Sequence, residues 1–333
     1  MSDQPHDDSV DSADPRVGDL SEGRILRAIL GRLGPSGAEV GPGDDAAVLQ
    51  APDGRVVATV DTLVHGPDFR LAWSTGFDLG FKAAAVNLAD IAAMGARPTS
   101  LLVALAMPDD TKLSFVEALA DGLRAGCDTL APGCTVEGGD LTVSDTLTIA
   151  VTALGSLDGR APVRRSGARA DDVVAVAGEL GAAGRGLALL FDRFRDAAGQ
   201  PIAVTSEFLT DVERNDLAAQ LRPEPPIALG PIAAHTGATA MMDVSDGLVL
   251  DATRMAEASG VTIALDPQSD EALGGGEDHA LLATFPSDVT LPNGFRQIGR
   301  VVRQGDNAVL VDGEPHSGRD GWDPYRDWDS TRG

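Results

Sequence analysis

Aspartates recur in this sequence where strands are expected to end or helices to begin. They fall in five motifs: GPGDDAAVL with Asp44 and Asp45, TVDT with Asp61, NLADIAAMG with Asp90, EGGD with Asp140, and DVSDG with Asp243 and Asp246. Carboxylates brought together without cations repel and raise one another's pKa. Mg²⁺ prefers oxygen ligands and commonly joins one or two carboxylates to substrate phosphates. The pattern therefore indicates a magnesium-nucleotide site.

Asp90 is the aspartate that a purely structural role explains least. It stands in an Ala-, Leu- and Ile-rich helical stretch, where an Asp side chain competes with the helix for backbone hydrogen bonds. The other motifs keep a second interpretation, with Asp246 as a helix N-cap, Asp44 and Asp45 as a turn, and Asp140 as the end of a glycine turn. DVSDG lacks the length and terminal Glu of an EF-hand loop, and no glycine-rich segment contains the GK[ST] of a P-loop.

The charge balance of the chain limits the classes of binding partner that we expect. The 333 residues include 51 Asp and Glu against 26 Lys and Arg, a formal net charge of −25. Nucleic acids are bound by clustered Lys and Arg, so we expect no nucleic-acid partner. No apolar run approaches the ~20 residues of a membrane span, and the acidic start lacks the order of a secretory signal. We therefore expect a cytoplasmic protein without a membrane partner.

Hydrophobic periodicity predicts alternating helices and strands, which favours an α/β or α+β fold. The polar start of the chain predicts a disordered acidic tail over 1–18. A Gly-, Arg- and Pro-rich connector then separates an N-terminal domain over 19–158 from a C-terminal domain over 159–333. Helices are predicted over 24–33, 77–94, 113–130, 184–193, 211–220 and 227–235, and after DVSDG from Ser245 and Asp246. Strands are predicted over 46–49, 56–60, 101–107, 146–155, 173–178, 238–244, 261–265 and 280–285, and near Arg296 and Ala308. Cys127 and Cys134 are too few for a disulfide scaffold and are expected to be buried thiols.

The order of the motifs resembles the thiamine-monophosphate kinase family, within the aminoimidazole ribonucleotide synthetase-like superfamily. The resemblance runs from about 41 to 285 through GPGDDAAVL, VDTLVHGPDF, FKAAAVNLADIAAMGARP, GGDLT, VRRSG, DVSDGL and GGEDHALL. It implies a two-domain fold in which the sheet of the N-terminal domain pairs with that of a second subunit. A C-terminal α/β domain would pack beside it.

The resemblance also implies roles for individual residues. The family's magnesium positions are matched by Asp45, Thr59, Val60, Asp61, Asp90, Asp140, Asp243 and Asp246. Its ATP contacts are matched by Gly139, Asp140, Arg165 and Ser245. On the substrate side Glu277 matches, and Trp322 or Tyr325 resembles an aromatic that packs against thiamine. Asp68 stands where the family often has a His, and His65 is an alternative donor three residues earlier.

The implied reaction is the Mg²⁺-dependent, direct in-line transfer of the ATP γ-phosphate to thiamine monophosphate in thiamine diphosphate biosynthesis, by a homodimer and without a phosphoenzyme. Superfamily relatives that phosphorylate an amide or a selenide would require a Cys near one terminus, whereas both cysteines here are internal. A non-catalytic protein that binds cations or nucleotides remains an alternative. ADP formation would separate it from a kinase.

Overall fold

The computed structural model describes residues 14–42 and 46–323, which form helices around two β-sheets. The helices are α1 (Glu22–Leu33), α2 (Gly76–Ala93), α3 (Leu113–Leu130), α4 (Ala182–Arg193), α5 (Asp211–Leu221), α6 (Leu229–Thr236), α7 (Leu248–Ser259) and α8 (Asp270–Gly274). The strands are β1 (Val57–Val64), β2 (Arg97–Met107), β3 (Thr135–Val143), β4 (Thr148–Ser156), β5 (Val173–Ala177), β6 (Ala240–Val244), β7 (Val261–Leu265), β8 (Ala280–Phe285), β9 (Phe295–Arg303), β10 (Val309–Val311) and β11 (Glu314–Pro315). The mixed α/β class predicted from the sequence is confirmed.

The first sheet has four strands in the order β1-β4-β2-β3, so β1 and β3 form its two edges. β2 and β3 are parallel, while the other two pairs are antiparallel. Alternate residues of β4, which are Ile149, Val151 and Ala153, are fully buried on one face. That face packs against α2. The period of two along the strand therefore decides which side chains of this sheet reach the helix.

Helix α2 is buried along almost its whole length because it lies between the two sheets. One side packs on β1, β2 and β4, and the other packs on β6 and β8 of the second sheet. Small residues allow a close crossing with α3: a Cβ on Gly80 would lie 2.0 Å from the Leu119 carbonyl oxygen, and one on Gly122 2.1 Å from the Phe77 carbonyl oxygen. Functional groups on α2 are thus held at the junction of the two halves.

The second sheet has the order β11-β10-β7-β9-β5-β8-β6 and is antiparallel except where β10 joins β7. Its face towards α2 shares one hydrophobic core with the first half, in which Met241, Leu281 and Phe285 join Leu88 and Ile91 of α2. The sheets occupy separate stretches of sequence, ending at Ser156 and beginning at Val173. The domain limits at 158 and 159 remain a prediction, because the core is continuous across them.

The structure departs from the predicted elements in the loops. The predicted strand at 46–49 is wrong, since Val48 forms only an isolated bridge with Val40. The helix after DVSDG begins at Leu248. Residues 1–13 of the predicted tail lie outside the described residues, while the end of that tail packs on the loop before α3, where Val17 is buried. None of the described helices is long and apolar enough to cross a bilayer.

Candidate functional site

Three aspartates from the two halves of the chain meet beside α2, and we call Asp61, Asp90 and Asp243 the carboxylate cluster. Thr59 and Asp61 lie on the β1 face that packs on α2, since they alternate with exposed residues. Thr59 Oγ1 donates to Asp90 Oδ2 at 2.7 Å, and the Asp61 amide donates to Asn87 Oδ1 at 3.0 Å. Asp243, on β6, lies within electrostatic range of both carboxylates.

Burial dominates the electrostatics of the carboxylate cluster. It raises the pKa of Asp90 to about 6, with the charges of Asp243 and Asp61 adding to the rise and the Thr59 hydrogen bond opposing it. Burial also raises the pKa of Asp61, against the opposing charge of His279. His279 offsets only part of this cost, since the pKa of both carboxyl groups stays raised, and a bound cation would supply further positive charge.

The described residues contain no set of three His, Cys, Asp or Glu side chains close enough to form a ready-made metal centre. The donors that approach one another are carboxylate oxygens and a hydroxyl, the hard ligands that suit Mg²⁺. Mg²⁺ usually keeps several waters and takes one or two protein carboxylates together with substrate phosphates. The carboxylate cluster therefore suits an open Mg²⁺ site that is completed by the phosphates of a ligand, rather than a structural site in which the protein supplies every ligand.

The DVSDG turn is held by an aspartate that the sequence analysis missed. Asp251 is fully buried, and its Oδ2 accepts the amides of Ser245, Asp246 and Gly247 at 3.1, 3.0 and 3.2 Å. Arg254 Nη1 joins Asp246 Oδ2 at 2.6 Å to Asp251 Oδ1 at 2.7 Å. The alternative that Asp246 is the N-cap of α7 is wrong, because Gly247 is the N-cap and no side chain caps this helix. An Asp early in a helix was the available signal.

The loop before β8 is pinned by three consecutive side chains. Glu277 Oε2 lies 2.5 Å from Lys82 Nζ of α2, Asp278 accepts two amides at the start of α4 at 2.6 and 2.8 Å, and His279 Nδ1 lies 3.1 Å from Asp243 Oδ2. Glu277 and His279 have φ values of +71° and +52°, which non-glycine residues rarely adopt. Strained backbone of this kind persists where surrounding contacts enforce it, commonly at functional sites.

The pKa values of all three side chains are shifted, and burial raises that of Asp278 against the amides of Ala183 and Gly181. Burial raises the pKa of Glu277, but the charges of Lys82 and His279 outweigh it, so the pKa lies below its ordinary value. For His279, burial lowers the pKa, and the hydrogen bond and charge of Asp243 outweigh that effect and raise it. His279 Nε2 is buried without a hydrogen-bond partner in the described part of the chain. The sequence analysis missed His279, and its place next to GGED was the only signal.

A cavity of about 600 Å³ lies at the Lys82 end of α2, and we call it the substrate cavity. The three aspartates of the carboxylate cluster do not line it, but Glu277 of its lining lies within electrostatic range of Asp61. Charged residues of both signs line it: the acidic ones are Asp68, Asp270, Glu271 and Glu277, and the basic ones are Arg70, Lys82, Arg185 and Arg319. Trp73 and Phe191 contribute an aromatic wall, with their rings edge to face at 5.0 Å between centroids. Trp322, Ser245 and several small or apolar residues of α4 and the 274–276 segment also line it. Tyr325, the other predicted aromatic, lies outside the described residues.

The structure brings Asp68, rather than His65, to the substrate cavity. Asp68 lines it and holds its own loop in place, since its Oδ2 accepts the Val64 amide at 2.7 Å. Burial raises the pKa of Asp68 despite that hydrogen bond. The His65 ring lies against Phe69, 5.6 Å between centroids, and is not among the residues that line the cavity.

Asp140, predicted for both metal and ATP, is not near the cluster within one chain. The sheet register places Thr62, Ala150, Ala104 and Asp140 side by side across the four strands. Three strand spacings separate β1 from β3, about 14 Å. Asp140 is exposed, on the opposite edge of the sheet from Asp61.

Gly139 and Asp140 instead line a second, mainly apolar cavity of about 660 Å³ between α1, α3 and β3. Its walls include leucines of both helices, among them Leu30 and Leu123. Such an apolar pocket next to a polar strand edge suits a flat heteroaromatic ring. We call it the edge cavity.

The remaining predicted residues are dispersed. The Val60 side chain is 59% exposed on the sheet face away from α2, so only its backbone could serve a metal. Arg165 is exposed, and its carbonyl accepts the Ser259 hydroxyl at 3.1 Å. Asp45 lies outside the described residues.

Comparisons with known proteins agree with the architecture. A family model for the N-terminal domain of AIR synthase related proteins matches residues 43–157. A thiamine-monophosphate kinase of Mycobacterium tuberculosis is 41% identical over 97% of each chain, and one of Corynebacterium glutamicum is 39% identical over 92% of this chain and 94% of the relative.

Solved structures give the same result. Thiamine-monophosphate kinase from Stenotrophomonas maltophilia superposes with a TM-score of 0.72 at 34% identity, covering 88% of this chain and 95% of that one. AaThiL complexed with AMPPCP and TMP superposes with a TM-score of 0.71 at 31% identity, covering 93% and 99%. Since the likeness extends over nearly the full length of both chains, this protein belongs to the thiamine-monophosphate kinase family.

Proposed function

We propose that this protein transfers the γ-phosphate of ATP to thiamine monophosphate, giving thiamine diphosphate and ADP, in a Mg²⁺-dependent cytoplasmic step of thiamine diphosphate biosynthesis. The observation that carries the proposal is the carboxylate cluster, built from both halves of the chain, together with a cavity at the Lys82 end of α2 that is lined by charged and aromatic side chains. AaThiL bound to AMPPCP and TMP supports the choice of donor and acceptor.

The substrate cavity suits the acceptor. Trp73 and Phe191 offer aromatic surface to the two rings of thiamine, while Glu277 and Asp68 offer negative charge to its cationic thiazolium. Asp90 lies eight residues beyond Lys82 on α2, about 12 Å along the axis. An extended thiamine monophosphate with its rings beside Lys82 and Glu277 would therefore direct its phosphate towards the carboxylate cluster.

The residues of this chain mainly position and neutralise. Phosphoryl transfer needs little covalent participation by the protein, because the phosphate oxygen of the acceptor attacks the γ-phosphorus in line with the leaving ADP. Bound Mg²⁺ would supply charge neutralisation between the phosphates. Asp61, Asp90 and Asp243 would hold it, and Thr59 orients Asp90 through their hydrogen bond.

We further propose that the complete site forms in a homodimer. β1 and β3 are long edge strands, which proteins usually pair or cover. A single chain places Asp61 on one edge and Asp140 on the other, about 14 Å apart across three strand spacings, too far to share a cation. Pairing β1 of one copy with β3 of another would bring the two edges together. The base of ATP would then occupy the edge cavity of one copy while its phosphates reach the cluster of the other.

A coupled assay of ADP release tests the proposal. We expect ADP only when ATP, Mg²⁺ and thiamine monophosphate are all present. Unphosphorylated thiamine, which has the same rings but no acceptor phosphate, is the matched control and should give no ADP above background. ADP release that does not depend on thiamine monophosphate would contradict the assignment. Tight nucleotide binding without ADP release would favour a binding protein instead.

A further inference from the structure

Lys82 is a buried cation at the point where three segments of the chain meet. It is 3% exposed on α2, and its Nζ lies 2.5 Å from Glu277 Oε2 and 3.1 Å from the carbonyl oxygen of Gln220 on α5. The Gln220 side-chain amide satisfies both of its polar atoms in one orientation. In that orientation its oxygen accepts from Lys82 Nζ at 3.3 Å, and its nitrogen donates to the Ala183 carbonyl at 3.0 Å. The three donors of the ammonium group therefore have three acceptors.

The residue type is informative, because lysine is rare in this protein. Only Lys82 and Lys112 occur among its 26 basic residues, and the others are arginines. A compact ammonium can meet three acceptors from different directions, which the planar guanidinium cannot do. Position 82 therefore favours the compact ammonium group of lysine over the planar guanidinium of arginine.

The partner of Lys82 faces the substrate cavity. The Glu277 side chain is 42% exposed, and both residues line the cavity. Among the described residues no donor other than Lys82 bonds to its carboxylate, and the Glu277 backbone has a φ of +71°. Without Lys82 nothing in the described structure would fix the direction of that carboxylate.

We propose that Lys82 is a positioning residue for thiamine monophosphate, which holds the ionised Glu277 carboxylate against the strain of its loop and aims its remaining acceptor capacity at the thiamine rings. This inference rests on the proposed function. Lys82 acts from the N-terminal half on a loop of the C-terminal half, so it also fixes the ring end of the cavity relative to Asp90, the member of the carboxylate cluster on the same helix. Its loss should weaken acceptor binding and spare ATP binding.

The experiment compares steady-state kinetics of Lys82→Met, Glu277→Gln and the double variant, with Lys112→Met as the matched control. Lys112 is the other lysine; its Nζ donates to the Asp14 carbonyl at 3.0 Å, and it is not among the residues that line either cavity that we assign. A lost hydrogen bond to a charged group corresponds to about a ten- to hundredfold rise in the KM for thiamine monophosphate in Lys82→Met, with the KM for ATP changed less than about threefold. The double variant should differ little from Glu277→Gln, because Lys82 acts through Glu277.

Equal rises in both KM values, or multiplicative effects in the double variant, would overturn the inference and leave Lys82 a structural residue. An unchanged KM for thiamine monophosphate in a folded Lys82→Met protein would also overturn it. If Lys82→Met does not fold, Lys82→Gln, which keeps amide donors but not the charge, carries the same prediction. A wild-type protein that forms no thiamine diphosphate would refute the proposed function itself, and the wild-type assay separates that outcome from the others.

Discussion

At the scale of single residues, the carboxylate cluster lowers the stability of the folded protein in return for its function. Asp90 is mostly buried beside Asp61 and Asp243, and its raised pKa shows that its ionised form is disfavoured in the folded chain. A carboxylate placed in this way is expected where a ligand supplies the missing positive charge. The Thr59 hydrogen bond offsets only part of the cost.

We expect Asp90→Asn to abolish turnover and yet stabilise the metal-free protein at pH 7.5, on the order of 2 kcal/mol. Asparagine keeps an oxygen for Thr59 and removes the repelled charge. The folded-state pKa of about 6 lies above the reference value of 3.8, so the cost of ionisation is complete above pH 6 and absent below 3.8. Thermal melts from pH 4 to 8 should show the advantage of the variant growing with pH. A variant that is active, or less stable at every pH, would contradict this account.

Asp68 and His65 can be distinguished by a second pair of variants. Because Asp68 lines the substrate cavity and holds its loop through the Val64 amide, Asp68→Ala should raise the KM for thiamine monophosphate by about tenfold, a lost charge-assisted contact. His65→Ala should leave that KM nearly unchanged, since the ring packs on Phe69. The reverse order of effects would mean that His65 reaches the substrate.

At the scale of elements, α2 connects the sequence to the site. Its apolar and small residues predicted a buried helix over 77–94, and the structure has Gly76–Ala93. The sequence could not show which partners cover the helix, because that depends on strand order. The sequence also misplaced the start of the helix after DVSDG: α7 begins at Leu248, and Asp251 accepts the amides of Ser245 and Asp246 in the turn before it. His279 was missed because its role depends on a contact with Asp243, which is 36 residues away in the sequence and is brought close only by the fold.

The crossing of α2 and α3 gives a stability prediction with a matched control. Gly80→Ala would place a methyl group 2.0 Å from the Leu119 carbonyl oxygen and push the helices apart, which we expect to cost about 2–3 kcal/mol. Gly31→Ala, in the exposed part of α1 where nothing lies within 4 Å, should instead be neutral or stabilising by about 0.5–1 kcal/mol. Urea unfolding of both variants measures the difference. Equal effects would show that the close crossing is not required.

At the scale of the whole molecule, the two edges of the first sheet carry different parts of the predicted site. The sequence identified the aspartates of both edges, but their separation follows only from the strand order. Homodimer formation and the roles of Asp140 and Arg165 therefore remain predictions.

Mixed dimers test whether two copies build one site. Asp61→Asn and Asp140→Asn should each be inactive alone, because every site then lacks one carboxylate. A heterodimer of the two, isolated with two different affinity tags, should regain about half of the wild-type activity, since one of its two sites has both wild-type residues. An inactive heterodimer would place Asp140 in the site of its own chain, and an active Asp140→Asn homodimer would place it outside the site.

The most direct test of the central claim follows a single turnover with ATP that is radiolabelled in its γ-phosphate. Excess protein is mixed with labelled ATP, Mg²⁺ and thiamine monophosphate, and the products are separated after rapid quenching. We predict that the label passes from ATP to thiamine diphosphate in one phase, with an equal amount of ADP, without labelled protein at any time and without transfer by Asp90→Asn. Label released as free phosphate, or retained on the protein before it reaches thiamine diphosphate, would contradict direct transfer at this site.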